Sequence, residues 1–167
     1  MSHKLIWLLG LVALGVGSVA GADEYPSKVI TMVVPFSAGG PTDTVARMIA
    51  QPMGKTLGQT VIIENVGGAG GTIAAARVAR ANPDGYTIFL HHIGQATSAT
   101  LYKNLSYNVL SDFETIGLVT PVPMTIIAKQ AMGAKDVKEF ISYIKANKDN
   151  ITYGNAGVGA ASHLCGM

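Results

Sequence analysis

The sequence predicts an α/β protein whose sheet has parallel neighbouring strands. Short runs rich in β-branched residues alternate with helical patterns along the 167-residue chain, as they do in α/β folds. In addition, glycine-rich loops at 37–40, 65–71 and 154–160 each follow a predicted strand and lead into a helix. Ligands of open parallel sheets bind at the carboxyl ends of the strands, so we expect all three loops to face one cleft.

The amino terminus has the three parts of a secretory signal peptide. A short positive segment, residues 1–4, precedes the almost wholly apolar run 5–19 and the small-x-small triplet 20–22. An uncleaved membrane anchor is the alternative, but the apolar run is shorter than the roughly 20 residues that a spanning helix needs. We therefore predict a signal peptide at 1–22 and an exported protein, periplasmic in a Gram-negative bacterium.

Composition argues against several kinds of partner. The formal net charge is +2, and Lys and Arg are not clustered as a nucleic-acid surface would require, so no nucleic acid is expected. Cys165 is the single cysteine, which excludes an internal disulfide and a cysteine-based metal site. We expect neither a metal nor a cofactor.

The first glycine loop has the features of an anion site. A predicted strand at Val29–Val34 leads into Ser37–Gly40, and Pro41, Thr42 and Asp43 suit the start of a helix. Unpaired backbone N–H groups and the positive end of the helix dipole would favour a carboxylate or phosphate there. An ordinary turn that binds nothing is the alternative. For Asp43, a helix cap and a partner for a ligand ammonium group both stay open.

The rest of the chain continues the alternation. Pro52 removes a backbone donor from the first helix and predicts a kink near Met48. The segment Tyr102–Phe113 is predicted as a loop. The other predicted elements are strands at 60–64, 86–90, 113–119, 124–128 and 151–153, and helices at 72–79, 98–101, 134–146 and from 162.

No complete catalytic motif is visible. The second loop fails the dinucleotide pattern at Ile73, the first lacks the lysine of a phosphate-binding loop, and Ser37 lacks the glycines of a hydrolase elbow. His91 and His92 are adjacent, so on a strand they would point to opposite faces, and each is predicted to make a structural hydrogen bond. A binding protein is therefore favoured over an exported α/β enzyme, which remains the alternative.

Several motifs occur together in an order typical of one family. They are Tyr25–Lys28, Val34–Asp43, Glu64–Asn65, Gly68–Gly71, Ala81–Tyr86 and Tyr153–Leu164. With these motifs the chain resembles the periplasmic solute-binding proteins of tripartite tricarboxylate transporters, the Bug (TctC-like) family.

The resemblance implies a two-lobed, Venus-flytrap periplasmic binding fold of type II-like architecture. The first lobe would span 23–120 and a truncated start of the second lobe 121–167, so we expect an N-terminal fragment. The implied function is to capture a small carboxylate between the lobes, as a monomer, and to deliver it to the membrane transporter subunits. The ligand would be a C4 dicarboxylate, an acidic amino acid or a tricarboxylate. A sensory receptor for a membrane sensor kinase is an alternative.

The resemblance also implies which residues bind the ligand. His91 to Thr97 are expected to line the cleft and to help set specificity, and no catalytic residue is expected. The expected ligand-binding residues are Ser37, Ala38, Gly39, Gly40, Thr42, Asp43, Gly70, Gly71, His92, Thr97, Asn155, Ala156, Gly157, Gly159, Ser162 and His163.

Overall fold

The structure, a computed structural model, describes residues 24–167, so the predicted signal peptide lies outside the described residues. The elements are β1 Ile30–Val34, α1 Pro41–Leu57, β2 Val61–Asn65, α2 Thr72–Val78, β3 Thr87–Phe89, α3 Gly94–Leu101, α4 Val137–Ala146 and α5 Ala161–Gly166. Short 3₁₀ turns lie at Ala69–Gly71, Gln130–Met132 and Lys148–Asn150. Within residues 24–167, no helix combines the length and apolar character needed to cross a membrane.

The three strands form a parallel sheet in the order β2–β1–β3, which confirms the predicted fold class. The register pairs Thr31 of the central strand with Ile62 on one side and Thr87 on the other. Because β1 has a neighbour on each side and helices over its faces, Ile30, Met32, Val33 and Val34 are all buried.

Helices cover both faces of this sheet. On one face Met32 and Val34 form a cluster with Ala46 of α1. On the other face the small residues Ala75 and Ala76 of α2 let that helix approach closely, next to an aromatic group at the start of the long loop after α3. Helices thereby cover both faces of the sheet, and loops lie at its carboxyl-terminal edge.

The first helix continues through its proline. α1 runs as one element from Pro41 to Leu57 with Pro52 inside it, so the proline does not end the helix. The carbonyl that loses its partner belongs to Met48, whose residue is 70% exposed. Water can satisfy that carbonyl, which keeps the cost of the proline low.

Three predicted strands are wrong. Residues 113–119, 124–128 and 151–153 have no regular secondary structure. Within the described residues no strand lies beside them, and Leu118 and Ile127 are 88% and 90% exposed. A β-branched run becomes a strand only when a neighbour supplies its backbone hydrogen bonds, and that neighbour cannot be read from local sequence.

The start of α4 differs from the prediction because a side chain caps the helix at a later residue. α4 begins at Val137, after Asp136 accepts a hydrogen bond from the Glu139 backbone N–H at 2.8 Å. The Glu139 carboxylate accepts one in return from the Lys135 N–H, so the two side chains together satisfy two backbone donors at the start of the helix. α2 begins at Thr72, as predicted, and the Thr72 hydroxyl donates to the Ala69 carbonyl. The division of lobes at residues 120 and 121 stays a prediction.

Candidate functional site

A cavity of about 820 Å³ opens at the carboxyl-terminal edge of the sheet. Its walls come from the β1–α1 loop, the end of β3, the 67–68 turn, the extended segment 117–124 and the start of α5. Six of the expected ligand-binding residues lie on these walls: Ser37, Gly40, Thr42, His92, Ala156 and Ser162. The first and third glycine loops therefore do face one cleft, as predicted.

The amino terminus of α1 opens directly onto this cavity. Gly40 is the residue before the helix and provides no side-chain cap, while Pro41 fixes the first turn. The backbone N–H groups of Thr42 and Asp43 occupy first-turn positions, which have no acceptor within a helix. Of the two residues, Thr42 lines the cavity, so the α1 terminus presents at least its N–H and a partial positive charge there.

The two histidines lie together rather than on opposite faces. Both follow the last residue of β3, where the chain turns into α3, so the alternation expected of a strand no longer applies. Their ring centroids are 4.9 Å apart, and both rings line the cavity. The His92 ring stacks on Phe36 at 4.6 Å with an interplanar angle of 21°. The result is a cluster of three rings, those of Phe36, His91 and His92, among the residues that line the cavity.

Each histidine makes a structural hydrogen bond, as predicted. The His92 backbone N–H donates to His91 Nδ1 at 2.8 Å, and the Gly94 N–H donates to His92 Nδ1 at 3.0 Å. Because Nδ1 accepts in both rings, the neutral rings carry their proton on Nε2. Burial, with repulsion from His92, lowers the pKa of His91 to about 3, and burial also lowers the pKa of His92. Both rings are therefore neutral at neutral pH.

Acid is expected to destabilise the protein through His91. Its pKa of about 3 in the folded state lies below the ordinary value of 6.5, so between these values only the unfolded chain binds the proton. Stability is then lost as the pH falls from about 6 to 4, by up to about 1.4 kcal/mol per pH unit. Urea unfolding of the complete gene product at several pH values measures this slope.

The matched variant for this prediction is His91→Asn. The asparagine Oδ1 can still accept from the His92 N–H, but the side chain does not titrate. Its free energy of unfolding should vary less with pH over the same range. His92, the other titrating group next to His91, contributes to the pH dependence in both proteins. Equal slopes in the two proteins would show that His91 is not the source.

Asp43 faces away from the cavity. Its carboxylate is buried, with the residue 1% exposed, and it accepts from Arg47 Nε at 2.9 Å, from the Gly39 N–H at 2.8 Å and from Asn65 Nδ2 at 3.0 Å. The Arg47 hydrogen bond, followed by those of Gly39 and Asn65, lowers the pKa of Asp43 to about 2. The carboxylate therefore ties down the backbone beside the helix start, and the geometry does not support a contact with a ligand ammonium group.

Asn65 completes the support of the first loop. It lies at the end of β2, and its Nδ2 donates both to the Phe36 carbonyl and to Asp43 Oδ1. The loop that presents Ser37 and Gly40 is thereby fixed from the neighbouring strand. In the sequence, Asn65 stood out only as part of a glycine loop and of a family motif, and Arg47 was not predicted to have a role. An acidic residue at the third helical position followed four residues later by arginine would have indicated the ion pair.

The remaining expected residues shape the site without lining it. Ala38 and Gly39 lie with Asp43 on a separate open groove along the outside of α1. Gly70 and Gly71 are buried, and a Cβ on Gly71 would lie 2.6 Å from His91 Nε2. These glycines allow close packing and leave no atom for the ligand. The second glycine loop thus reaches the cavity only through Gly67 and Gly68.

Several other expected ligand-binding residues make hydrogen bonds with the third glycine loop. The Thr97 hydroxyl donates to the Gly159 carbonyl at 3.2 Å, and Asn155 Oδ1 accepts from the Gly157 N–H at 2.9 Å. His163 Nδ1 accepts from the Gly159 N–H at 3.4 Å. Thr97 thereby ties the 155–160 loop to α3, whereas Asn155 and His163 fix the loop from within, and none of the three lines the cavity.

The cavity walls carry no lysine, arginine, aspartate or glutamate among the residues of the described part of the chain. Most of the apolar lining, which includes Phe36, Val45 and Phe89, was not predicted from the sequence. A bound anion would therefore be held by backbone N–H groups, hydroxyls and neutral imidazoles. Such donors are effective here because the apolar walls lower the local dielectric constant.

Solved structures of similar proteins identify the class to which this fold belongs. The chain matches the periplasmic binding protein BugD at 57% identity and a TM-score of 0.81, over 85% of this chain and 48% of that one. It matches MatC of Rhodopseudomonas palustris, solved with bound malate, at 45% identity and a TM-score of 0.77, over 82% and 47% of the two chains. The fold is that of the periplasmic binding proteins.

The family follows from the sequence. Residues 45–167 match the model of the tripartite tricarboxylate transporter family receptor. The chain is also 53% identical to a UPF0065 protein in the TAR-I ttuE-ttuC′ intergenic region of Agrobacterium vitis, over 86% of this chain and 42% of that protein. The chain belongs to the tripartite tricarboxylate transporter receptor family, and it spans about half the length of the relatives it matches.

Proposed function

We propose that the protein is a periplasmic solute-binding protein that captures a small carboxylate between two lobes and delivers it to a tripartite tricarboxylate membrane transporter. The ligand is a C4 dicarboxylate, an acidic amino acid or a tricarboxylate. The observation that carries the proposal is the uncapped amino terminus of α1, which opens onto a cavity whose walls, within residues 24–167, carry no lysine, arginine, aspartate or glutamate.

The first-turn N–H groups of α1 suit one carboxylate end. Two oxygens of a carboxylate can accept from two N–H groups, and the helix dipole favours the negative charge. The hydroxyls of Ser37 and Thr42 stand on the same wall and can add donors. Because no acidic side chain lines the described part of the cavity, the ligand charge meets no repulsion there.

The family supports a carboxylate over other anions. MatC, which shares 45% identity with this chain, was solved with malate, a C4 dicarboxylate. The cavity volume of about 820 Å³ is ample for an acid of that size and leaves room for bridging water. Delivery to a membrane transporter and a periplasmic location are carried over from the family.

The experiment is a thermal-shift screen of the complete gene product. Succinate, malate, aspartate and citrate are compared with their uncharged amides, which have the same carbon skeletons. A ligand that binds only the folded state adds about 2.7 kcal/mol of stability at a hundredfold excess over its Kd. We expect a shift with at least one acid and none with its amide. The absence of a shift with every acid would overturn the proposal.

A further inference from the structure

One dipeptide of the chain belongs to the type that is most prone to spontaneous modification of the backbone. Asp84–Gly85 is the single Asp–Gly or Asn–Gly pair in the sequence. Both residues are exposed, in the bend that leads into β3. This bend lies at the amino-terminal edge of the sheet, which is the edge opposite the cavity. Chemistry at this pair is therefore independent of the ligand site and of the proposed function.

The reaction open to an Asp–Gly pair is isomerisation through a succinimide. The backbone nitrogen of Gly85 attacks the side-chain carboxyl carbon of Asp84, a C–N bond forms, and the amide proton leaves with one carboxyl oxygen as water. Water then opens the ring at the backbone carbonyl and leaves isoaspartate, whose main chain is one carbon longer. The two steps release and consume one water, so no atom is gained or lost. Glycine favours the attack because no Cβ shields its nitrogen.

The Asp84 carboxylate is held by both of its oxygens. Oδ1 accepts from the Tyr86 backbone N–H at 3.1 Å, and Oδ2 accepts from Lys28 Nζ at 3.3 Å. The Tyr86 N–H and, to a smaller extent, Lys28 lower the pKa of Asp84 below its ordinary value, so the group is ionised at neutral pH. An ionised carboxylate reacts more slowly than a neutral carboxyl group, because it must take up a proton before an oxygen can leave as water.

The Gly85 side of the bond is fixed by the amino-terminal segment 25–28. The Tyr25 hydroxyl donates to the Gly85 carbonyl at 2.8 Å, and the ring centroids of Tyr25 and Tyr86 are 5.1 Å apart. The Tyr86 hydroxyl in turn accepts from the Ser27 backbone N–H at 2.8 Å. A Cβ built on Gly85 would lie 2.8 Å from the Tyr25 hydroxyl, so Tyr25 packs directly against this backbone.

We propose that the segment 25–28 protects the Asp84–Gly85 bond from isomerisation, because it holds the Asp84 carboxylate and the Gly85 carbonyl in their present positions. Ring closure turns the carboxyl group onto the Gly85 nitrogen, so the contacts of Lys28 and Tyr25 must break first. The extra backbone carbon of an isoaspartate would lie just before the Tyr86 carbonyl, which accepts from the Thr31 N–H at 2.8 Å. Protection therefore preserves the start of the pairing between β3 and the central strand.

The test measures isoaspartate at Asp84 in the complete gene product after incubation at neutral pH. Peptide mapping separates the two isomers, which have equal mass, by chromatography. A synthetic peptide of residues 80–90 is the unfolded reference. We expect the folded protein to isomerise at least about tenfold more slowly than the peptide, which is the effect of two ordinary hydrogen bonds that must break before attack. A folded protein that isomerises as fast as the peptide would overturn the inference.

Single substitutions show which contacts protect the bond. Lys28→Ala and Tyr25→Phe each remove one contact, and each should raise the rate by about two- to tenfold. Lys28→Arg keeps the positive charge and should isomerise at nearly the wild-type rate. Lys55→Ala, which removes a lysine from the last turn of α1, is the matched control. Urea unfolding of each variant checks that the fold is retained. If Lys28→Ala and Tyr25→Phe isomerise no faster than Lys55→Ala, or faster only in proportion to a loss of global stability, the segment 25–28 does not protect the bond.

Discussion

Replacement of Gly70 by alanine is expected to destabilise the protein more than any other single added methyl group in the site. Gly70 has a φ of 62°, and a Cβ built there would overlap the Val158 carbonyl oxygen and lie 2.8 Å from the Tyr102 hydroxyl. The left-handed backbone costs about 1–2 kcal/mol for a residue with a side chain, and overpacking adds about 1–3 kcal/mol. Urea unfolding of the complete gene product measures the loss.

The consequence reaches the ligand site because Gly70 lies where the third loop meets the first part of the chain. The Tyr102 hydroxyl donates to the Val158 carbonyl at 2.8 Å, and a Cβ on Gly157 would lie 3.0 Å from the Gly70 nitrogen. A methyl group at Gly70 must push this loop away, and the loop carries Ala156 into the cavity wall. Ligand affinity should therefore fall together with stability.

Gly39→Ala is the matched control. Gly39 has a φ of 79°, close to that of Gly70, but a Cβ built there meets no atom within 4 Å. It carries the same kind of backbone strain without the collision, so its cost should be limited to about 1–2 kcal/mol. If the two variants lose the same stability, backbone conformation alone explains the effect and the close packing of the third loop does not matter.

The parts of the molecule that could be predicted are those governed by local sequence. β1 is a β-branched run followed by small residues and Pro41, and the structure has a strand, a loop and a helix start at those positions. The parallel sheet follows from the alternation of such units. The first and third glycine loops come together because parallel strands end on one edge of the sheet.

The parts that could not be predicted depend on contacts between distant residues. Residues 113–128 have the composition of strands, but the described chain gives them no neighbour to pair with. The orientation of His91 and His92 depends on where β3 ends, one residue before Leu90, and not on their own identity. Asp43 has the right residue type for a ligand contact, yet Arg47 and Asn65 take its oxygens.

A pattern joins these cases. Asp43 and Asn65, next to the cavity, are used to fix backbone, while the cavity itself is lined by apolar side chains, hydroxyls and two neutral imidazoles. The described walls of the cavity carry no lysine, arginine, aspartate or glutamate, so the empty site has no desolvated charge on its walls to stabilise. Sequence motifs mark both kinds of residue equally, so they identify the region of the site but not the atoms that would touch a ligand.

Removal of the Asp43 carboxylate is expected to weaken both the fold and ligand binding. In Asp43→Ala the Gly39 N–H and one Asn65 donor lose their acceptor, and because both hydrogen bonds are part-buried, water replaces that acceptor only incompletely. The loop before α1 then loses its fixed geometry, and the affinity for the best carboxylate should fall about tenfold or more because the donors must be ordered on binding. Thermal unfolding and titration calorimetry of the complete gene product measure the two effects.

Arg47→Ala separates the ion pair from the support of the loop. Arg47 is 56% exposed at its side chain and forms the same ion pair with Asp43, but it makes no hydrogen bond to the loop backbone among the described residues. Exposed charges contribute little, because water and salt screen them. We therefore expect Arg47→Ala to lower the unfolding temperature much less than Asp43→Ala and to leave ligand affinity nearly unchanged. Equal losses in the two variants would show that the charge pair, and not the hydrogen bonds to Gly39 and Asn65, holds the loop.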